Sequence, residues 1–134
     1  MAFVVVMVVL VGRGGAGGSA PIPPAFAAGT TLAQAEEAAV AGGKPVLVFA
    51  TADWCGPCQS FKRGALVDPA VAERIGAGFV PVYVDVDRAA TEAQRLKVGS
   101  IPVLIVLRSG KEVARLEGGA NAERVVAWLE QAAK

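Results

Sequence analysis

Four apolar runs along the chain have the pattern of β-strands. Residues 46–50 and 103–107 are almost wholly apolar, which predicts two central strands buried on both faces. Residues 79–85 accumulate valine and predict a third, largely buried strand. Residues 112–117 alternate between polar and apolar side chains and predict an edge strand, which a turn at residues 109–110 joins to its neighbour as a hairpin.

Segments with helical spacing and capping signals lie between these strands. Thr31 with Gln34 has the pattern of a capping box, and Asp68-Pro69 and Asn121 are further helix starts. The segments expected to be helical are residues 31–41, 59–66, 69–75, 89–97 and 122–132. Strand–helix–strand units followed by a hairpin predict an α/β fold, in which a mixed central sheet carries helices on both faces.

The amino-terminal residues have a different character. Residues 2–12 form an unbroken apolar run that would span roughly 16 Å as a helix, about half of a bilayer core. This length fits the apolar part of a secretory signal, with Ala25-Phe26-Ala27 as a small-x-small cleavage pattern. No Lys or Arg precedes the run, so a wrongly chosen start codon and a buried strand stay open as alternatives.

We therefore divide the chain into two parts. Residues 1–28 are expected to be a signal or short anchor with a flexible Gly-rich linker, and residues 29–134 to be the folded domain. This division predicts an extracytoplasmic location, in the periplasm or cell envelope, secreted or anchored. The alternative is a cytoplasmic protein.

Composition removes several classes of function. The chain has 134 residues, enough for one domain with a real core, and a net charge of +1 gives no electrostatic case for nucleic acid. It contains no histidine, which excludes Cys-His and Ser-His-Asp catalysis and every imidazole metal site. Its 2 cysteines cannot complete a structural zinc site. We expect neither a metal nor a cofactor besides the cysteine pair.

Both cysteines, Cys55 and Cys58, follow the first buried strand and precede a helical segment. Thiol exchange needs a thiolate, whereas an ordinary cysteine ionises near pH ~8.5. A helix N-terminus favours the anion, and Pro57 suits a first helical turn. Cys55 is expected to be the exposed nucleophile and Cys58 the resolving thiol. A structural disulfide or half of a metal site is the alternative, although a bridge over so short a loop would stabilise little.

The motif Trp54-Cys55-Gly56-Pro57-Cys58 matches the thioredoxin active-site motif in full. Ile101-Pro102 stands where thioredoxins have their cis-proline, and Gly118 resembles the glycine of the third active-site loop. The resemblance covers about residues 30–133. It implies a thioredoxin-like fold with a four-stranded core sheet, and protein disulfides as substrates. The residues expected to bind substrate are Trp54, Gly56, Pro57, Ile101, Pro102 and Gly118.

A narrower resemblance rests on Ala52-Asp53-Trp54-Cys55 and on residues 68–71, 79–82 and 85–87. These segments are similar to exported bacterial thioredoxin-like proteins, among them the C-terminal domain of the membrane disulfide reductase. The likeness implies a monomer that takes electrons from a membrane thiol reductase if exported, or from thioredoxin reductase if cytoplasmic. The Gly-Pro dipeptide resembles the reducing members, near about −270 mV, more than the strong oxidants near about −120 mV.

The chain departs from the thioredoxin pattern behind the cysteines. Thioredoxins usually carry a buried Asp paired with a Lys, and the corresponding positions here are Phe49 and Tyr83. Without that base we expect slower or more pH-dependent resolution by Cys58. Asp53 is expected in solvent, and Lys62 on a solvated helix face, unless it raises the positive potential near Cys55.

These observations predict a thiol–disulfide oxidoreductase that acts on protein disulfides, as a reductase or electron relay. A non-enzymatic thioredoxin-fold binding or chaperone module is the alternative, as is a redox sensor tied to a single partner.

Overall fold

The computed structural model describes residues 19–134. Its helices are α1 (Leu32–Gly42), α2 (Gly56–Arg63), α3 (Pro69–Gly78), α4 (Ala90–Arg95) and α5 (Ala122–Ala132). Its strands are β1 (Val46–Thr51), β2 (Val80–Asp85), β3 (Val103–Arg108) and β4 (Lys111–Glu117), and short 3-10 helices lie at Pro24–Phe26 and Ala65–Val67. The predicted order of elements is confirmed.

The four strands form one mixed sheet in the order β2-β1-β3-β4. β1 pairs in parallel with β2, with Val46 opposite Val80, and antiparallel with β3, with Val46 opposite Leu107. β3 and β4 form the predicted antiparallel hairpin. The two central strands β1 and β3 are buried along their length except at Arg108, as their continuous apolar sequences predict.

β2 forms one open edge of the sheet and contains a proline. The backbone N–H of Val80 donates to the carbonyl of Pro45, at 2.9 Å, and so points towards β1. Since successive N–H groups of a strand point to opposite sides, the nitrogen of Pro81 faces away from β1. The proline therefore costs no hydrogen bond inside the sheet.

Helices cover both faces of the sheet, each over its own core. On one face, α2, α3 and α5 bury Phe61, Ile75 and Leu129 against Phe49 and Leu104. On the other face, the helical side chains are Leu32 and Ala35 of α1, Ala93 of α4, and Leu96 directly after α4. They pack on the remaining buried strand residues, which are Val46, Val48, Ala50, Val82, Val84, Val103, Ile105 and Leu107. This arrangement confirms the predicted mixed sheet with helices on both faces.

The helix starts identified in the sequence are formed by side-chain caps. Thr31 accepts from the backbone of Gln34, whose side chain bonds the backbone of Thr31, which completes a capping box. Asp68 and Asn121 cap α3 and α5. On α1, Leu32 and Ala35 are buried, whereas Val40 near the end of the helix is 80% exposed.

The expectation that residues 1–28 lie outside the fold is wrong for residues 19–28. Phe26 is 2% exposed, and its ring lies 5.6 Å from that of Phe49. Ala20 and Pro23 are buried as well. The composition of this segment is that of a flexible linker, but the side chain of Phe26 is buried in the core, where it packs on Phe49. Burial of a phenylalanine stabilises by about 1.5–3 kcal/mol, enough to hold a short segment against the domain.

The predicted apolar signal or anchor, residues 2–12, lies outside the described residues. Between residues 19 and 134, no helix is both long enough and apolar enough to cross a membrane.

Candidate active site

Cys55 is the N-cap of α2, and the sequence around it explains why the helix begins there. Its sulfur accepts from the backbone N–H of Cys58, with Sγ and N 3.2 Å apart. Pro57 occupies the first turn, where its missing N–H costs nothing. Cys55 and Cys58 are joined by a disulfide, with their Cα atoms 5.2 Å apart. The sulfur of Cys55 thus lies at the positive end of the helix, where a thiolate is stabilised after reduction.

The two cysteines differ in accessibility, although less than the sequence suggested. Cys55 is 5% exposed and Cys58 is fully buried. Cys55 was expected to be exposed, but Ile101 and Val86 pack against the pair, and only a small part of the residue is in contact with solvent. Since Cys58 has no solvent-accessible surface, a substrate disulfide is expected to react with Cys55 first.

The loop before β3 lies beside the cysteines. The Ile101–Pro102 peptide bond is cis, and the carbonyl oxygen of Ile101 lies 3.8 Å from Sγ of Cys55. Gly118, with a φ of +74°, donates its N–H to the carbonyl of Pro102 at 2.9 Å. The structure therefore brings Ile101, Pro102 and Gly118 together. It does not give Pro102 an open surface for substrate, because that side chain is buried.

The exposed apolar surface next to the disulfide comes from Trp54, which is 70% exposed. Its indole N–H donates to Asp87 Oδ2 at 2.9 Å, which fixes the orientation of the ring. Gly56 and Pro57 are exposed as well. Asp53 is exposed, as expected, and pairs with Arg88 at 3.8 Å. An exposed aromatic side chain, held in orientation by Asp87, therefore lies next to Cys55 in the chain.

The wall behind the cysteines is aromatic and cationic. Phe49 is fully buried, and its ring meets that of Tyr83 edge to face at 5.7 Å. Lys62 was expected on a solvated helix face, but it is 1% exposed. Its ammonium donates to the hydroxyl of Tyr83 at 2.9 Å and lies 5.5 Å from the ring centre. The positions that hold an Asp and a Lys in thioredoxins are thus filled by Phe49 and by a tyrosine bound to a lysine from α2.

Gln59 connects this wall to the amino-terminal segment and to the active-site loop. Its side-chain oxygen accepts from the backbone N–H of Ala20 at 2.6 Å, and its NH₂ group donates to the carbonyls of Ala52 and Cys55 at 3.0 and 3.2 Å. The carbonyl of Ala20 accepts from Lys62 at 3.2 Å. Residue 20 is therefore held at both of its backbone polar groups by two buried side chains of α2.

The sequence analysis missed the buried roles of Gln59, Lys62 and Ala20. A signal for Lys62 was present, because Cys58, Phe61, Lys62 and Ala65 have the i, i+3, i+4, i+7 spacing of one helix face. The other members of that face are small or apolar, so Lys62 stands on a face with the pattern of a buried one. No comparable signal marks Ala20, whose partners lie 39 and 42 residues away in the chain.

Comparison with known proteins agrees with this architecture. Residues 32–133 match the family model described as a thioredoxin-like domain. Thioredoxin Y of rice chloroplasts (Oryza sativa subsp. japonica) is 33% identical over 89 residues, which cover 66% of this chain and 51% of that protein. A thioredoxin-like protein of Synechocystis is 32% identical over 87 residues, covering 65% of this chain and 80% of the relative. The chain spans about half the length of the chloroplastic relatives it matches.

Solved structures share the fold. A thioredoxin from Thermus thermophilus superposes with a TM-score of 0.68 at 30% identity, covering 75% of this chain and 82% of that one. A protein described as DsbH oxidoreductase superposes with a TM-score of 0.69 at 21% identity, covering 86% and 87%. At that identity the second likeness concerns the fold alone.

Proposed function

Because the chain belongs to the family of thioredoxin-like domains, we propose that it is a thiol–disulfide oxidoreductase that reduces protein disulfides through Cys55 and Cys58. The observation that carries the proposal is the Cys55–Cys58 disulfide at the N-terminus of α2, in which Cys55 keeps a small exposed area and Cys58 is fully buried. This arrangement supports an ordered attack by one thiol and resolution by the other.

The cycle starts from the dithiol form. The Cys55 thiolate attacks one sulfur of a substrate disulfide, forms a mixed disulfide, and releases the other substrate sulfur as a thiolate. The Cys58 thiolate then attacks Cys55 Sγ and displaces the remaining substrate thiolate, so that two electrons pass to the substrate and the Cys55–Cys58 disulfide forms. A dithiol donor restores the reduced pair.

Substrate recognition is proposed to use Trp54, Gly56, Pro57, Ile101, Pro102 and Gly118. Trp54 supplies exposed aromatic area, and Ile101, whose carbonyl lies beside Cys55, supplies a backbone acceptor for an extended peptide. Pro102 and Gly118 contribute indirectly, because the hydrogen bond from the Gly118 N–H to the Pro102 carbonyl holds their two loops together.

The proposal is tested by reduction of insulin with dithiothreitol as electron donor. The wild-type protein is expected to accelerate the precipitation of insulin chains, and Cys55→Ser to reduce the rate to that of dithiothreitol alone. The control is Lys44→Met, at an exposed residue before β1 and far along the strand from the cysteines, which is expected to keep the wild-type rate. A wild-type rate no higher than that of dithiothreitol alone would refute the catalytic proposal and leave a binding or chaperone module. Acceleration that survives Cys55→Ser would refute the role of Cys55 as the nucleophile.

We further propose that the protein is a monomer that acts outside the cytoplasm and takes its electrons from a membrane thiol reductase; thioredoxin reductase is the donor for the cytoplasmic alternative. Support comes from the apolar residues 2–12 and from the likeness to exported bacterial thioredoxin-like proteins.

The position of the mature N-terminus tests this location. Processing after Ala27 would remove the buried Phe26 and the contacts of Ala20 with α2. We therefore expect mass spectrometry of the protein from its native cells to find cleavage before Ser19, or an anchor that is retained. An uncleaved chain in the soluble cytoplasmic fraction would contradict an extracytoplasmic location.

A further inference from the structure

Lys62 carries a charge that the described structure does not neutralise. Its side chain is 1% exposed, and none of the ion pairs among residues 19–134 includes it. Its hydrogen bonds go to neutral acceptors, the Tyr83 hydroxyl and the Ala20 carbonyl. Burial of a cation without an anion is unfavourable, so a buried lysine of this kind calls for a counter-charge in another state of the protein.

The position of Lys62 relative to the cysteines identifies that counter-charge. Cys58 and Lys62 are four residues apart on α2 and both are buried, so they share one face of the helix. Side chains on a helix lean towards its N-terminus, which directs Lys62 towards the turn that contains Cys58. The ammonium also bonds Ala20, whose N–H bonds Gln59, the residue next to Cys58.

We propose that Lys62 stabilises the thiolate of Cys58 once the disulfide is opened, and that this ammonium favours ionisation of Cys58 in a site where Phe49 replaces the usual buried carboxylate. The inference rests on the proposed thiol–disulfide cycle. In the oxidised protein both sulfurs are neutral and Lys62 has no anion. Two electrons and one proton convert the disulfide into the Cys55 thiolate and the Cys58 thiol. When Cys55 has formed the mixed disulfide, Cys58 releases its proton to water, and the new negative charge arises on a residue one helical turn before Lys62. Lys62 acts through Cys58, whose thiolate it stabilises, and it does not itself react with the substrate.

The other ionisable groups near the pair do not supply this charge. Those on the elements around the cysteines are Asp53, Lys62, Arg63, Tyr83, Asp85, Asp87, Arg88 and Glu117. Arg63 and Arg88 are exposed, so water screens them. Asp85 accepts from the backbone N–H groups of Asp87 and Arg88, and Asp87 accepts from Trp54. Negatively charged carboxylates disfavour formation of a thiolate nearby. Among these groups, and within the part of the chain described here, Lys62 is the buried cation.

The inference is tested by the reaction of the reduced protein with Ellman's reagent in a stopped-flow instrument. Cys55 releases a first thionitrobenzoate in a phase that depends on reagent concentration, and Cys58 releases the second in a phase that does not. Lys62→Met, which removes the charge and keeps the length of the side chain, is expected to slow the second phase about tenfold at pH 7 and to move its pH midpoint upward. Lys62→Arg, which keeps the charge, should restore part of that rate, and Lys44→Met should leave both phases unchanged.

Several outcomes would overturn the inference. A second phase that is unchanged in Lys62→Met refutes it, as does an equal slowing of both phases, which indicates a loosened site. Absence of the first phase in the wild-type protein refutes the proposed cycle instead, so the two failures are distinguishable.

A measurement on the unsubstituted protein covers the case in which Lys62→Met does not fold. The ¹³Cε resonance of Lys62, followed by NMR as the pH is raised, is expected to shift when Cys58 ionises in the dithiol form and to show no such step in the disulfide form. The same curve in both redox states would contradict the proposal.

Discussion

Cys58→Ser is expected to convert the protein into a covalent trap for its substrates. Cys55 still attacks a disulfide, but the serine hydroxyl does not displace the substrate thiolate, so the mixed disulfide persists. Since Cys58 is fully buried directly behind Cys55, no other thiol of the chain can take its place. Turnover of insulin should fall at least about a hundredfold, which corresponds to about 2.7 kcal/mol in the barrier.

The trapped species is observed by electrophoresis without reductant followed by mass spectrometry. Adducts should appear in Cys58→Ser, disappear with dithiothreitol, and be absent from Cys55→Ser and from the double variant. Adducts on Cys58 in the Cys55→Ser protein would reverse the assigned roles of the two thiols. The trapped proteins from native cells would also identify the substrates.

Removal of residues 1–28 is expected to destabilise the domain more strongly than removal of residues 1–18. The longer truncation deletes Phe26, which is 2% exposed and packs on Phe49. Loss of a buried phenylalanine costs about 3–5 kcal/mol. It also deletes the Ala20 carbonyl that accepts from the buried Lys62, and an unsatisfied buried donor costs about 1–3 kcal/mol more. The melting temperature should fall by at least about 15 °C.

The matched pair is a chain that begins at Ser19 and a chain that begins at Gly29, each compared with the full protein by thermal denaturation in the oxidised form. Phe26→Ala in the full chain separates the aromatic contact from the backbone contacts and should account for most of the loss. Equal melting temperatures for the two truncated chains would show that residues 19–28 contribute nothing to the domain.

The elements that the sequence predicted correctly are those whose signals are local. β1 and β3 are covered on both faces, so their side chains are apolar except at the last residues, Thr51 and Arg108, and a continuous apolar run in the sequence shows this directly. The capping box at Thr31 and the Asp68-Pro69 helix start depend on residues within one turn. The position of Cys55 at a helix start followed from the same local rules.

The features that escaped prediction depend on partners that are distant in sequence. Lys62 is buried because Tyr83 and Ala20 offer acceptors, and these residues lie 21 and 42 positions away. The residues next to Lys62 in the sequence do not indicate these acceptors. Its charge alone therefore predicted a side chain exposed to solvent. Phe26 lies in a segment rich in proline, alanine and glycine, whose composition is typical of a linker. The small exposed fraction of Cys55 likewise results from Ile101, which the fold brings from a different loop.

The proline in β2 has a consequence for how this protein behaves at high concentration. A sheet edge with free N–H groups is a template for a strand of another molecule, and Pro81 removes one such donor near the start of β2. The opposite edge, β4, carries charged side chains at Lys111, Glu112, Arg115 and Glu117. Both borders of the sheet therefore oppose the addition of a further strand. The protein is therefore expected to resist edge-to-edge aggregation at high concentration.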